Sequence, residues 1–153
     1  MVRGIHPEAK IVLRRWFPQE TLDNAKIYTW TKKKPWFISK NASAVTLDEH
    51  TIVVFSEGFD EVAFLEDLGI LAHELCHCEQ VRKMGSFIDS VIYWFWWLGI
   101  SVCFNRDEFS PKLYRYHPME REATDLMIEV LQELGEIELA NHWQRWIGEP
   151  EVL

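Results

Sequence analysis

Residues 71–80 read Leu-Ala-His-Glu-Leu-Cys-His-Cys-Glu-Gln, a stretch that predicts a helix with metal-binding side chains. His73 and His77 are four residues apart, so on a helix they lie on one face and can direct two imidazoles at one ion. Glu74 projects about 100° round the helix from His73, where its carboxylate can accept a proton from an attacking water. The order H-E-x-x-H therefore predicts two metal ligands and a general base.

A catalytic zinc site needs a third protein ligand, and the candidates lie in residues 118–123, Pro-Met-Glu-Arg-Glu-Ala. Glu120 shares a helical face with the small Ala123, which would let this helix approach the histidine helix closely. Glu122 projects about 200° away from Glu120 and is expected in solvent. The spacing favours Glu120 over Glu122 as the third ligand.

The remaining pattern predicts an α+β fold, with a small antiparallel sheet followed by a helical half that carries the H-E-x-x-H helix. The predicted strands cover residues 25–30, 36–39, 44–47 and 51–55. A first helix begins at Pro7 and is closed by Pro18. The later helices are predicted at 61 or 66–84, 87–104, 118–134 and 137–147. Residues 1–153 are expected to form one domain.

Composition narrows the classes of function. The chain has 153 residues, 48% of them hydrophobic and 26% charged, as in ordinary globular proteins. Its formal net charge of −8 disfavours a nucleic-acid partner and tolerates a basic substrate. No secretory signal opens the chain, and an odd count of three cysteines fits a reducing compartment, so a cytoplasmic location is expected.

Four segments together resemble a known family: residues 44–47, 51–52, 71–80 and 120–123. They are similar to the metallopeptidase core domain of bacterial contractile-injection-system cargo proteins and of short stand-alone bacterial proteins. That family has an A-x-T-x-G strand turn, a LLAHELxHxxQ helix and a P-x-E-x-E-A helix, and its short members have a Tyr-Arg pair like Tyr114-Arg115. The likeness covers about residues 44–124.

The resemblance implies a minimal gluzincin, a zincin with His73, His77 and Glu120 as zinc ligands and Glu74 as base. The chain departs from the family pattern at two positions. Asp48 stands where the family has Gly in the strand turn. Thr124 stands where related gluzincins have an Asp that supports a ligating histidine; Asp125 is the alternative partner.

Other residues near the predicted site have two interpretations each. Tyr114 and His117 precede the helix of Glu120 and are predicted as catalytic donors to the oxyanion of a tetrahedral intermediate; the alternative is aromatic packing. Gln80 either hydrogen-bonds near the site or ties its helix to a loop. Cys76 and Cys78 point away from the metal face and are expected as core thiols.

Residues 91–104 are apolar all round and include three of the eight tryptophans. The segment is shorter than the ~20 residues needed to span a bilayer. A core helix or the wall of a substrate groove is favoured over contact with a membrane or a partner protein.

The sequence as a whole predicts a zinc-dependent peptidase acting on a peptide or protein substrate. Two alternatives stay open. One is a zinc-stabilised binding module associated with an injection or phage-like particle. The other is a phage-type regulatory metallopeptidase that cleaves repressors.

Overall fold

The computed structural model describes residues 2–34, 42–84 and 116–148. In these ranges the chain forms an α+β fold, as predicted. The strands are β1 (Val2–Gly4), β2 (Lys26–Thr29), β3 (Ala44–Asp48) and β4 (Thr51–Val54). The helices are α1 (Pro7–Leu13), α2 (Gln19–Asn24), α3 (Leu65–Met84), α4 (Pro118–Glu133) and α5 (Ile137–Ile147).

The four strands form one sheet in the order β1-β2-β4-β3. The β3–β4 pair is the antiparallel hairpin that the sequence predicts, but β2 pairs with β4 in parallel. The prediction of an antiparallel sheet is therefore wrong, and the sheet is mixed. Parallel pairing places Ile27 beside Ile52, two side chains with no solvent exposure. Residue alternation within a strand predicts its buried face but carries no information about its neighbour.

The helices match the predictions more closely than the sheet. α1 begins at Pro7 as expected but ends at Leu13, and α2 follows Pro18, where no helix was predicted. α3 and α4 lie where predicted, and α5 has the predicted bounds. The predicted strand 36–39 and helix 87–104 lie outside the described residues. No helix in the described ranges is long and apolar enough to cross a membrane.

Helix α3 occupies the centre of the fold, between the sheet and α4. Three of its leucines, Leu68, Leu71 and Leu75, are at most 2% exposed and belong to the main core cluster. A Cβ atom on Gly69 would lie 3.1 Å from Leu131 of α4, so the absence of a side chain permits the close packing of these helices. This approach brings the histidine helix against the helix of Glu120.

Candidate metal centre

The imidazoles of His73 and His77 lie one turn apart on α3 and face the same space. Their Nε2 atoms are 3.1 Å apart, and the two rings are nearly perpendicular, at 83°. His73 is 7% exposed, whereas His77 is half-buried. The i, i+4 spacing therefore produces the convergence that the sequence predicts.

Glu120 joins the two imidazoles from the first turn of α4. Its Oε2 atom lies 3.3 Å from Nε2 of His73 and 3.4 Å from Nε2 of His77. Pro118 starts the helix, and the His117 side chain caps it by accepting a hydrogen bond from the backbone N–H of Glu120, at 3.5 Å. The helix start thus holds Glu120 over the histidine pair.

The three donor atoms form a nearly equilateral triangle that fits one ion. Atoms bound at 2.0–2.1 Å to a tetrahedral zinc are separated by about 3.3–3.4 Å. The observed separations of 3.1, 3.3 and 3.4 Å lie close to that value. In the described part of the chain, His73, His77 and Glu120 form a group that could hold a metal ion.

The electrostatics of the group favour positive charge at its centre. Burial alone would raise the pKa of the Glu120 carboxyl, but the charge of His77 and hydrogen bonds from both imidazoles hold that pKa well below its usual range. Burial also disfavours a charged His77, yet the charges of Glu120 and Glu74 and the bond to Gln80 raise the pKa of His77 to about 9. Both pKa shifts favour positive charge next to the Glu120 carboxylate, and a cation bound by Glu120 and the two imidazoles would supply it.

The outer nitrogen of each histidine faces a polar side chain. His77 Nδ1 lies 2.7 Å from the amide oxygen of Gln80, and His73 Nδ1 lies 3.5 Å from the hydroxyl of the buried Thr124. Thr124, and not an acidic residue, is therefore the side chain next to the outer nitrogen of His73 in the described part of the chain. Asp125 does not substitute for it, because Asp125 is exposed and accepts from Arg121 at 2.9 Å.

Glu74 is held beside the group by β3, a terminal strand of the described sheet. The Thr46 hydroxyl of β3 lies 2.8 Å from Oε2 of Glu74 and 2.9 Å from the Glu74 backbone oxygen. The hydroxyl hydrogen is therefore shared between these two acceptors. The sequence analysis assigned no role to Thr46; its only signal in the sequence was its position as the Thr of segment 44–48, which resembles A-x-T-x-G.

In the peptidase that the sequence predicts, replacing Thr46 by valine should lower the turnover of peptide substrates roughly tenfold, because a bond to a charged group contributes about 1.5 kcal/mol or more. Valine keeps the shape of the side chain but leaves Oε2 of Glu74 without this donor. We expect the metal content to stay unchanged, as measured by elemental analysis beside the kinetics. Thr51→Val, in the neighbouring strand β4, is the matched control. Equal turnover in both variants would show that Thr46 does not position Glu74.

Of the two predicted catalytic donors, only His117 lies in the described residues. His117 has no solvent exposure and caps α4, while Tyr114 lies outside the described residues. Their catalytic roles stay predictions. Cys76 and Cys78 are core residues, as expected, and burial raises the pKa of each thiol to about 12.

The chain was compared with models of known protein families, with curated proteins and with solved structures. None of the three comparisons gave a match.

Proposed function

We propose that the protein is a zinc-dependent peptidase. The observation that carries the proposal is the buried triangle of His73, His77 and Glu120, with the Glu74 carboxylate held next to it by Thr46. Three protein ligands are the number found in catalytic zinc sites, whereas structural sites have four. When bound, zinc would polarise a scissile carbonyl and make water a better nucleophile at neutral pH.

The residues of the chain have separate tasks in this proposal. His73, His77 and Glu120 bind zinc, and the Glu74 carboxylate accepts the proton of the attacking water. The Thr46 hydroxyl keeps one oxygen of Glu74 in place, which leaves the other oxygen, Oε1, for the proton.

Strand β3 offers a place for an extended peptide. It is the last strand in the order β1-β2-β4-β3, so within the described sheet one of its edges has no neighbouring strand. Its register shifts between Thr46 and Asp48, and Leu47 is 64% exposed at the shift. Bulges of this kind frequently occur at sheet edges next to active sites. A substrate paired with β3 would lie beside Glu74.

The proposal is tested by metal analysis joined to hydrolysis. The purified full chain should contain about one zinc per molecule. X-ray absorption at the zinc edge should show nitrogen and oxygen ligands with one exchangeable oxygen. A peptide library read by mass spectrometry should show cleavage that stops after chelation and returns when zinc is added. A zinc ion with four protein ligands would instead identify the structural binding module.

A further inference from the structure

The side-chain amide of Gln80 lies between α3 and α4 and contacts both. Its nitrogen is 3.1 Å from the backbone oxygen of Met119 and 2.9 Å from Oε2 of Glu122. A carbonyl and an ionised carboxylate only accept hydrogen bonds, so both amide hydrogens are directed at α4. The amide oxygen must therefore point to the other side, towards His77.

The contact with the amide oxygen determines where His77 carries its hydrogen. The oxygen of Gln80 lies 2.7 Å from Nδ1 of His77 and can only accept, so Nδ1 must donate. A neutral imidazole with hydrogen on Nδ1 has its lone pair on Nε2. That atom faces the metal group, 3.4 Å from Oε2 of Glu120.

We propose that Gln80 is a positioning residue, oriented by Glu122 and the Met119 carbonyl, that fixes His77 in the tautomer able to bind metal through Nε2. The inference rests on the proposed zinc site. It gives Glu122 a role there through its hydrogen bond with Gln80. Glu122 is exposed, as expected, but its carboxylate holds the amide in one orientation.

His73 provides an internal comparison. Its outer nitrogen faces the Thr124 hydroxyl at 3.5 Å, and a hydroxyl can donate or accept. Thr124 therefore does not select a tautomer, whereas Gln80 does. Zinc affinity should consequently depend more on Gln80 than on Thr124.

The first test measures zinc affinity by competition with a chromogenic chelator, using the full chain. Gln80→Leu should bind zinc about 10- to 100-fold more weakly than the wild type, the usual effect of losing a partner of a ligating histidine. Thr124→Val should reduce the zinc affinity less than Gln80→Leu does. Glu122→Ala should weaken binding in the same direction. Asp125→Ala, an equal charge change on the same helix without contact to Gln80, should have no effect.

A spectroscopic measurement separates positioning from a general loss of structure. In nitrogen-15-labelled protein, the Nδ1 proton of His77 should exchange slowly with solvent in the wild type and give a visible NMR signal. In Gln80→Leu that signal should be lost. Gln80→Glu should also weaken zinc binding, since it sets a carboxylate against Glu122. Adding Glu122→Gln reverses donor and acceptor at that contact and should restore part of the affinity, because the Met119 carbonyl still lacks its donor.

The inference is overturned if Gln80→Leu binds zinc as tightly as the wild type and keeps the slowly exchanging Nδ1 proton of His77. Circular dichroism must show that this variant is folded. If Gln80→Leu does not fold, the exposed Glu122→Ala decides: zinc affinity equal to that of Asp125→Ala overturns the inference. A wild type that binds no zinc would refute the proposed function alone. In that metal-free protein, a slowly exchanging Nδ1–H proton of His77 that is lost in Gln80→Leu would support the contact with Gln80, and a His77 without hydrogen on Nδ1 would overturn the inference.

Discussion

Replacing Glu120 by alanine should remove most of the bound zinc from the chain. Glu120 supplies one of three converging donors, with Oε2 at 3.3 and 3.4 Å from the two imidazole nitrogens. Zinc sites release about 10–16 kcal/mol shared among four ligands, so losing one should weaken binding roughly 100- to 1,000-fold. Elemental analysis after gel filtration measures the loss directly.

The matched variant is Glu122→Ala on the same helix. Among the described residues, Glu122 contacts the group through Gln80, so this variant should still reach one zinc per chain when zinc is in excess, with reduced affinity. Equal zinc content in Glu120→Ala and the wild type would refute the assignment of the third ligand. Loss of zinc in Glu122→Ala but not in Glu120→Ala would transfer the role to Glu122.

Glu74→Gln should retain zinc and fold but lose peptide hydrolysis by about 10²- to 10⁴-fold, the usual contribution of a general base. The change is nearly isosteric, and the Thr46 hydroxyl can still donate to the amide oxygen, so the side chain should keep its place. The measurement compares turnover on any peptide that the wild type cleaves, at saturating substrate, with zinc content determined on the same samples.

Glu66→Gln makes the same chemical change in the exposed first turn of α3 and should leave turnover unchanged. Full turnover in Glu74→Gln would remove Glu74 from the mechanism. Loss of zinc in that variant would mean that Glu74 is itself a ligand. Either result would refute the proposed division of tasks between Glu74 and the three-residue group.

Much of the candidate centre could be predicted because its parts follow local rules. The spacing of His73 and His77 places them on one face of any α-helix, whatever surrounds it. The same periodicity separates Glu120 from Glu122 by about 200°, which is why Glu120 could be favoured before the helices were placed together. The close contact of the two helices was anticipated from Ala123, but the contribution of Gly69 was not.

Contacts between distant elements were not predictable in the same way. The sequence left Gln80 with two interpretations and gave no role to Thr46, because the α4 partners of Gln80 and the α3 partner of Thr46 are brought close only by packing. The sheet shows the same limit: β2 was correctly identified as a strand, but its parallel pairing with β4 was not.

The sequence by itself determined the helices α3, α4 and α5, the two histidines on one face, the choice of Glu120 and the neighbouring Glu74, since helical periodicity is a property of the chain alone. Only the tertiary structure decided the mixed sheet, the hydrogen bond from Thr46 to Glu74 and the orientation of the Gln80 amide. Those features depend on which donors and acceptors meet across elements once the core has packed. Hydrogen bonds need partners at about 3 Å, and no local spacing specifies a partner on another element.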